Sequence, residues 1–210
     1  MKKNIFSIIA LILVANTVTA QETDSNSRIH IGLKAGMNYS NIYDSKNEEY
    51  TADGKVGFAA GGFVCIPIGT LLGIQPEIQF SQKGFQATSS ILGSNVKLTR
   101  TTNYIDVPIF LAIKPSEMLT ILVGPQYSYL IKQKDVFTNP ITDIEVSQDF
   151  NTDNIRKNTL CVVGGVDINL NNIVLGARVG LDMYNNDGNG NSTAPRYKNV
   201  WGQATVGFRL

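Results

Sequence analysis

Histidine, cysteine and tryptophan are scarce in this sequence, with one, two and one copies respectively in 210 residues. Cys65 and Cys161 are too few for a disulfide framework, and no metal-ligand spacing surrounds them. We interpret both as small packing residues; a bridge between them stays an alternative if the chain reaches an oxidising compartment. The sequence therefore predicts no cofactor site and no metal site.

Long apolar runs are also missing, except at the amino terminus. Lys2 and Lys3 precede an apolar run over residues 5–14, and small residues at 18–20 precede the polar Gln21. This pattern predicts a secretory signal peptide. An uncleaved anchor is the alternative, but the run is shorter than the roughly 20 residues of a spanning helix. The predicted organisation is a signal peptide at 1–20, a periplasmic segment at 21–28 and one β-barrel domain at 29–210.

A strong excess of charge of one sign is absent as well. Loss of the signal peptide removes two of the 18 basic residues and leaves 16 against 17 acidic ones. This balance gives no reason to expect nucleic acid as a partner. The roughly 190 residues that remain fit a single all-β domain.

What the sequence has in abundance is alternation with period two. Apolar residues alternate with polar ones or glycine from Ile29 to Ser40, and the same pattern recurs over about 72–83, 104–113, 175–183 and 200–210. Such alternation predicts strands with one apolar face. Three less regular stretches, at about 55–67, 118–132 and 158–170, are strand-like in composition. The total is eight strands, an even number as in bacterial membrane barrels.

The gaps between these strands alternate in length. Polar gaps at about 43–54, 85–95, 133–156 and 185–197 are long, whereas those near Gly69, Pro115 and Asn171 are tight. Long loops on one side and short turns on the other are typical of an up-and-down outer-membrane barrel with both termini in the periplasm.

Alternation alone permits the apolar face to point inward, as in a soluble lipocalin-like barrel, or outward into lipid. The export signal, the loop asymmetry and the unbroken apolar face from Ile105 to Ile113 favour lipid outside. The predicted lumen then holds eight charged side chains with glycines between them: Lys34, Glu77, Lys83, Asp106, Asp167, Arg178, Asp182 and Arg209. Pro76 and Pro108 lie inside strands, so we expect a local bulge near each.

Four segments resemble the PorT-like family of outer-membrane β-barrel proteins from Gram-negative bacteria: Lys34–Asn41, Gln75–Gly84, Tyr104–Pro108 and Gly124-Pro125. The resemblance runs from about residue 30 to the end of the chain. It implies an eight-stranded barrel in the outer membrane, in which both strand prolines are expected features. Phe208 looks like the terminal signal read by barrel-assembly machinery, although the last residue here is Leu210. The founding member of the family is tied to a secretion system.

Three charged residues form the candidate site. Counted from the nearest tight turn, Glu77 and Asp106 have similar heights on neighbouring strands, and Arg178 has a similar height across the lumen. We hypothesise that they form a structural cluster that holds the interior shut. Two adjacent carboxylates also suit acid/base chemistry, but interiors of eight-stranded barrels are filled by side chains, which favours the structural role.

A lipid-modifying enzyme would need a serine and histidine pair. The single histidine, His30, starts the first strand, and the nearest downstream serine on its face, Ser40, is roughly 33 Å away at strand rise. A serine on an adjacent strand stays open, but the sequence predicts no catalytic residue. The acidic run that contains Asp135 and continues to Asp153 is interpreted as a solvated loop surface.

The predicted function is thus a non-enzymatic outer-membrane barrel of the PorT-like type that contacts another envelope or secretion component. The alternatives are a narrow, porin-like pore, which an eight-stranded lumen disfavours, and a lipid-modifying enzyme. Predicted partners are the lipid bilayer, the barrel-assembly machinery and an envelope protein, with no cofactor and no nucleic acid.

Overall fold

The computed structural model describes residues 28–43, 51–91, 94–138, 143–148, 156–185 and 197–210. The predicted signal peptide at 1–20 and nearly all of the segment at 21–28 lie outside the described residues, and both stay predictions. In the described part of the chain, no helix is long and apolar enough to cross a membrane.

Nine antiparallel strands make up the described fold, and eight of them close a barrel. Their bounds are β1 His30–Tyr43, β2 Thr51–Ile68, β3 Leu72–Ile91, β4 Ser94–Ile113, β5 Leu119–Thr138, β6 Asp143–Gln148, β7 Asn158–Leu170, β8 Ile173–Asp182 and β9 Lys198–Arg209. Each barrel strand pairs with its neighbours, and the β1–β9 pairing closes the ring. The short β6 pairs with the end of β5 outside this ring. The eight-stranded antiparallel barrel predicted from the sequence is confirmed.

The two faces of the wall follow the alternation of the sequence. Along β3, the side chain of Glu77 is 4% exposed whereas its neighbour Ile78 is 60% exposed. The same division holds along β8, where Arg178 points inward and Val179 is 68% exposed. Successive strand residues point to opposite faces, so an apolar exterior and a charged interior arise from one pattern. The prediction that apolar side chains point outward is confirmed.

Tight turns join the strands at one end of the barrel. The β2–β3 turn includes Gly69 with φ of 76°, and the β7–β8 turn includes Asn171 with φ of 54°. Glycine and asparagine are the residues that tolerate this left-handed conformation. We call this end the turn side and the opposite end the loop side.

The loop side differs from the expectation at two predicted loops. Residues 85–95 do not form a long loop, because β3 continues to Ile91 and β4 begins at Ser94. The predicted loop at 133–156 likewise contains the end of β5 and all of β6. The hairpins continue outside the apolar band, where the strands no longer need one apolar face, so alternation cannot mark them there.

The walls consequently have different heights. Strands β2 to β5, the long wall, contain 18, 20, 20 and 20 residues. Strands β7 to β9, the short wall, contain 13, 10 and 12 residues. A tilted strand crosses a bilayer with about 9–11 residues. The long wall therefore extends well beyond one bilayer thickness.

The expectation of bulges at the prolines is wrong. The β3–β4 register is the same on both sides of Pro76 and Pro108, with Pro76 opposite Ile109 and Gln79 opposite Asp106. Register shifts occur nearer the loop side, between Gly54 and Ala59 in β2 and at Asn103/Tyr104 in β4. Each proline thus lacks one hydrogen bond of the ladder. The residues on either side of it keep their alternation between the two faces.

Candidate functional site: the charged barrel interior

A first ion network occupies the turn-side half of the lumen. Arg178 donates to both carboxylate oxygens of Glu77 at 2.6 and 3.0 Å, and its Nη2 lies 3.3 Å from Asp167 Oδ2. Lys34 Nζ lies 2.6 Å from Glu77 Oε1. These four side chains, which we call the turn-side network, have two positive and two negative formal charges. Charge-assisted bonds of this kind are stronger than neutral ones in a dry interior.

Glycines create the space for this network. A Cβ at Gly165 would lie 2.7 Å from Arg178 Cγ, and one at Gly176 would lie 2.7 Å from Asp167 Oδ1. The guanidinium of Arg178 also lies 4.9 Å from the Phe110 ring centroid. The small residues on the short wall therefore determine where the long arginine side chain fits, and the aromatic ring supports it by a cation–π contact.

A second group, the loop-side network, lies nearer the opposite end. Lys83 Nζ is 3.0 Å from Asp106 Oδ2, and it lies 4.7 Å from the Trp201 ring centroid. On the short wall, Asp182 accepts a hydrogen bond from the Cys161 thiol at 2.9 Å and one from the Asn199 amide at 2.7 Å. Cys161 and Cys65 are both free and buried.

Amide side chains fill the space between the two networks. Gln203 donates to Asn38 at 2.9 Å, and Asn38 donates to Ser81 at 2.9 Å. Gln126 donates to Ser128 at 3.0 Å. All five are buried. Near the turn-side mouth, a cavity beside His30 has a volume of about 10 Å³, room for about one water molecule. Buried side chains thus occupy the described interior at each of these places.

A third group, the loop-side clamp, lies where the interior meets the loop side. Arg100 on β4 donates to both oxygens of Asp135 on β5 at 2.8 and 2.7 Å, and to the Tyr197 hydroxyl at 2.9 Å. Burial raises the pKa of the Tyr197 phenol, and the Arg100 guanidinium opposes that rise. The clamp joins the long wall to the residue that precedes β9.

The structure brings two of the three candidate residues together. Glu77 and Arg178 share a bidentate bond, whereas Asp106 pairs with Lys83 in the loop-side network. The partners that sequence reasoning omitted from the candidate cluster, Lys34 and Asp167, are both inward on the alternation pattern. That pattern therefore identified the charges of the two networks but not their pairing.

Two interpretations of individual residues change. Asp135 is not on a solvated acidic surface; its side chain is buried and bonded to Arg100, because β5 continues past the predicted loop boundary. Arg209 faces inward on β9 but lies at the mouth of the lumen rather than deep within it: it is half-buried, lines the turn-side cavity beside His30, and its Nε donates to the Asn171 carbonyl. Both positions fall at strand ends, where alternation is least informative.

The residues considered for hydrolytic chemistry are engaged elsewhere. Ser40 Oγ donates to the Gly84 carbonyl at 2.8 Å and accepts from the Gly84 N–H at 2.8 Å. His30 lies at the turn side, with Nδ1 3.3 Å from the Leu210 carbonyl. Among the residues that the structure describes, no three His, Cys, Asp or Glu side chains are grouped to hold a metal ion.

Comparison with known proteins gives one family and a set of similar barrels. The model of the family described as outer membrane protein beta-barrel domain matches residues 19–186. No curated protein matches the sequence.

The fold is similar to that of Ail, the attachment invasion locus protein of Yersinia pestis, at 14% identity and a TM-score of 0.50, over 86% of this chain and 98% of Ail. Ail in complex with the heparin analogue sucrose octasulfate matches at 13% identity and a TM-score of 0.51, over 87% and 99% of the two chains. Neisserial surface protein A matches at 11% identity and a TM-score of 0.47, over 86% and 97%. At these identities, the similarity to Ail concerns the fold alone.

Proposed function

Because this chain belongs to the outer membrane protein beta-barrel domain family, we propose that it is a sealed, non-enzymatic membrane scaffold that contacts another envelope component. The protein is an outer-membrane β-barrel. The finer proposal is that it acts as the PorT-like resemblance implies, by presenting the long wall to a secretion or assembly protein of the envelope.

The unequal height of the two walls is the observation that carries this proposal. About half of each 20-residue strand suffices to cross the bilayer. The remaining residues form paired hairpins on the loop side, where β3 and β4 stay in register from Phe85/Arg100 to Ile91/Ser94. A strand extension of this length does not add to the membrane span, and its paired backbone makes it a rigid surface for a partner.

The packed interior supports the non-conducting part of the proposal. The turn-side network, the amide side chains of Asn38, Gln126 and Gln203, and the loop-side network follow one another along the lumen, and all of these side chains are buried. An ion would have to displace several charge-assisted bonds to pass. We propose that the tight turns and both termini face the periplasm, that the loop side faces outward, and that the signal peptide and the assembly machinery bring the chain to the membrane.

A cross-linked pull-down of the tagged protein from intact outer membranes tests the scaffold role. We expect a stoichiometric envelope protein to be recovered with the native chain. Recovery should fall when residues 87–98 are replaced by an Asn-Gly turn that joins Gln86 to Thr99, which face each other in the ladder. A matched variant shortens the β5–β6 hairpin between Val136 and Glu145. Comparison of the two variants shows which of the two projecting hairpins the partner contacts.

Heat-dependent gel migration of both variants shows whether the barrel still folds. Recovery of the folded native barrel alone would contradict the scaffold role. Planar-bilayer recording tests independently whether the lumen is closed to ions. We expect no conductance steps from the native barrel, and stable open steps would contradict the proposed closed lumen.

A further inference from the structure

The loop-side network contains one more buried negative charge than positive charge. Asp106 and Asp182 are both buried, and Lys83 is the one cation within 4 Å of either carboxylate among the described residues. The turn-side network and the loop-side clamp, by contrast, each contain equal numbers of carboxylates and cations. A buried charge without compensation is costly, so a proton or a further cation has to balance the loop-side network.

The hydrogen bonds of this network favour the ionised form of both carboxylates. Asp182 Oδ1 accepts from the Cys161 thiol at 2.9 Å, and Oδ2 accepts from the backbone N–H and the side-chain amide of Asn199 at 3.3 and 2.7 Å. Lys83 Nζ lies 3.0 Å from Asp106 Oδ2. Donors that point at a carboxylate stabilise its charged form. Protonation would weaken these contacts, so a cation is the better source of the missing positive charge.

Three buried oxygens in this part of the lumen have no hydrogen-bond partner among the described residues. They are Asp106 Oδ1, Gln126 Oε1 and Thr159 Oγ1, on side chains that are at most 2% exposed. The strand register places them side by side, because Ser128 of β5 is directly opposite both Asp106 of β4 and Thr159 of β7. Gln126 is the next inward residue of β5, and its Nε2 donates to Ser128 at 3.0 Å. Side chains directly opposite each other in a sheet have Cβ atoms about 4.5–5.5 Å apart.

Two buried donors near the same carboxylate are also unpartnered. Gln79 Nε2 belongs to the residue directly opposite Asp106 on β3, and Trp201 Nε1 belongs to the ring that lies 4.7 Å from Lys83 Nζ. An anion would suit these donors, but the excess negative charge of the network would repel it. A cation binds the three oxygens, and water molecules that complete its coordination accept from the two N–H groups. Cation and water together therefore account for all five atoms.

We infer that the loop-side network binds one alkali-metal cation through Asp106 Oδ1, Gln126 Oε1 and Thr159 Oγ1. One carboxylate and two neutral oxygens are hard ligands, which suit cations of this kind. The single excess negative charge favours a monovalent ion over a divalent one. The bound ion joins the inner faces of β4, β5 and β7. This inference goes beyond the proposed function, because it needs no partner protein and leaves the lumen closed.

Urea unfolding of the full-length barrel in a non-ionic detergent tests the site, with the emission of Trp201, the single tryptophan of the chain, as the signal. The barrel is folded and unfolded in sodium chloride or potassium chloride, each replaced stepwise at constant ionic strength by N-methylglucamine chloride, whose organic cation is much larger. We expect one or both alkali cations to stabilise the folded barrel. Above the dissociation constant, each tenfold rise in cation concentration should lower the unfolding equilibrium constant about tenfold, as for one bound ion.

Three variants locate the ion. Asp106→Asn removes the charged ligand and should abolish the dependence on alkali cation. Thr159→Val removes one oxygen at nearly constant shape and should raise the dissociation constant about fivefold, the effect of one lost bond. Thr205→Val is the matched control, at a buried threonine beside Gly176 and Asp167 of the turn side, and should keep the native dependence. The compared quantity is the dependence on cation concentration within each variant, because the substitutions also change the stability itself.

Equal unfolding equilibria in all three salts at every concentration would overturn the inference. A dependence that survives Asp106→Asn would place the ion elsewhere in the barrel and would overturn it as well. If a proton balances the network instead, the three salts should give the same stability, and that stability should rise as the pH is lowered. The pull-down of an envelope partner is independent of these titrations, so the cation site and the scaffold role are each able to fail alone.

Discussion

The long and short walls of this barrel differ in height and in how their buried charges are paired. Lys83 and Asp106 pair between adjacent strands of the long wall, and Cys161, Asp182 and Asn199 bond within the short wall. The turn-side network is different, because Arg178 on β8 reaches across the lumen to Glu77 on β3. One wall extends well beyond the bilayer thickness and the other is close to it in length, and among the described residues the buried Arg178–Glu77 ion pair joins them.

Loss of the Arg178–Glu77 ion pair, which joins the two walls, should have the largest effect on the free energy of unfolding. Arg178→Met leaves Glu77 without its bidentate partner, and it also removes the cation that lies next to the Asp167 carboxylate. Removal of one member of a buried pair costs about 3–5 kcal/mol of unfolding free energy. Urea unfolding in detergent, followed by Trp201 fluorescence, measures it. Lys97→Met, at an exposed position of the long wall, is the control and should change the free energy by about 0.5 kcal/mol or less. Equal midpoints for the two variants would show that the walls do not depend on this bond.

The pair within the long wall should matter somewhat less. Lys83→Met removes the cation next to Asp106, which is fully buried, and we expect a loss of about 3 kcal/mol. Arg178 faces two carboxylates, whereas Lys83 is within 4 Å of one among the described residues. Adding Asp106→Asn to Lys83→Met should recover part of the loss, since no uncompensated charge then remains at position 106. A double variant less stable than Lys83→Met alone would contradict this account.

The clamp between the walls should contribute less again. Tyr197→Phe removes one acceptor from Arg100 but leaves its bidentate bond to Asp135. The expected cost is about 1 kcal/mol, the value of one hydrogen bond. Tyr127→Phe, which loses an exposed hydroxyl bond to Asn158, is a matched control with a smaller expected effect. If the two substitutions shift the urea midpoint equally, the clamp has no special role.

Substitutions in the β2–β3 turn of the long wall and the β7–β8 turn of the short wall should have the smallest effect on stability. Asn171→Ala in the β7–β8 turn places alanine at positive φ, and we expect a cost between about 0.5 and 1 kcal/mol. Gly69→Ala makes the corresponding change in the β2–β3 turn of the long wall, and Asn171→Gly should cost nothing measurable. Refolding yield and urea midpoint measure all three. If Asn171→Ala leaves the urea midpoint unchanged, this turn accommodates alanine in another conformation without a loss of stability.

Sequence reasoning succeeded where the physical cause is local. The alternation over 72–83 and 175–183 placed Glu77 and Arg178 inside and their apolar neighbours outside, because strand geometry repeats every two residues. It did not identify the continuation of β3 to Ile91, since an extramembrane hairpin has no required apolar face. It also predicted bulges at the prolines, whereas the register shifts lie elsewhere, because pairing across a closed barrel depends on both neighbouring strands.

By itself, then, the sequence determined the number of barrel strands, the direction of their faces, the tight turns and most of the charges that enter the lumen. These follow from residue type and spacing along one strand. Only the tertiary structure decided which charge meets which: Arg178 with Glu77 across the lumen, Asp106 with Lys83, and Asp135 with Arg100. Those pairings depend on how the strands are staggered when the sheet closes, and on the glycines that leave space opposite a long side chain. That information is distributed over all eight strands.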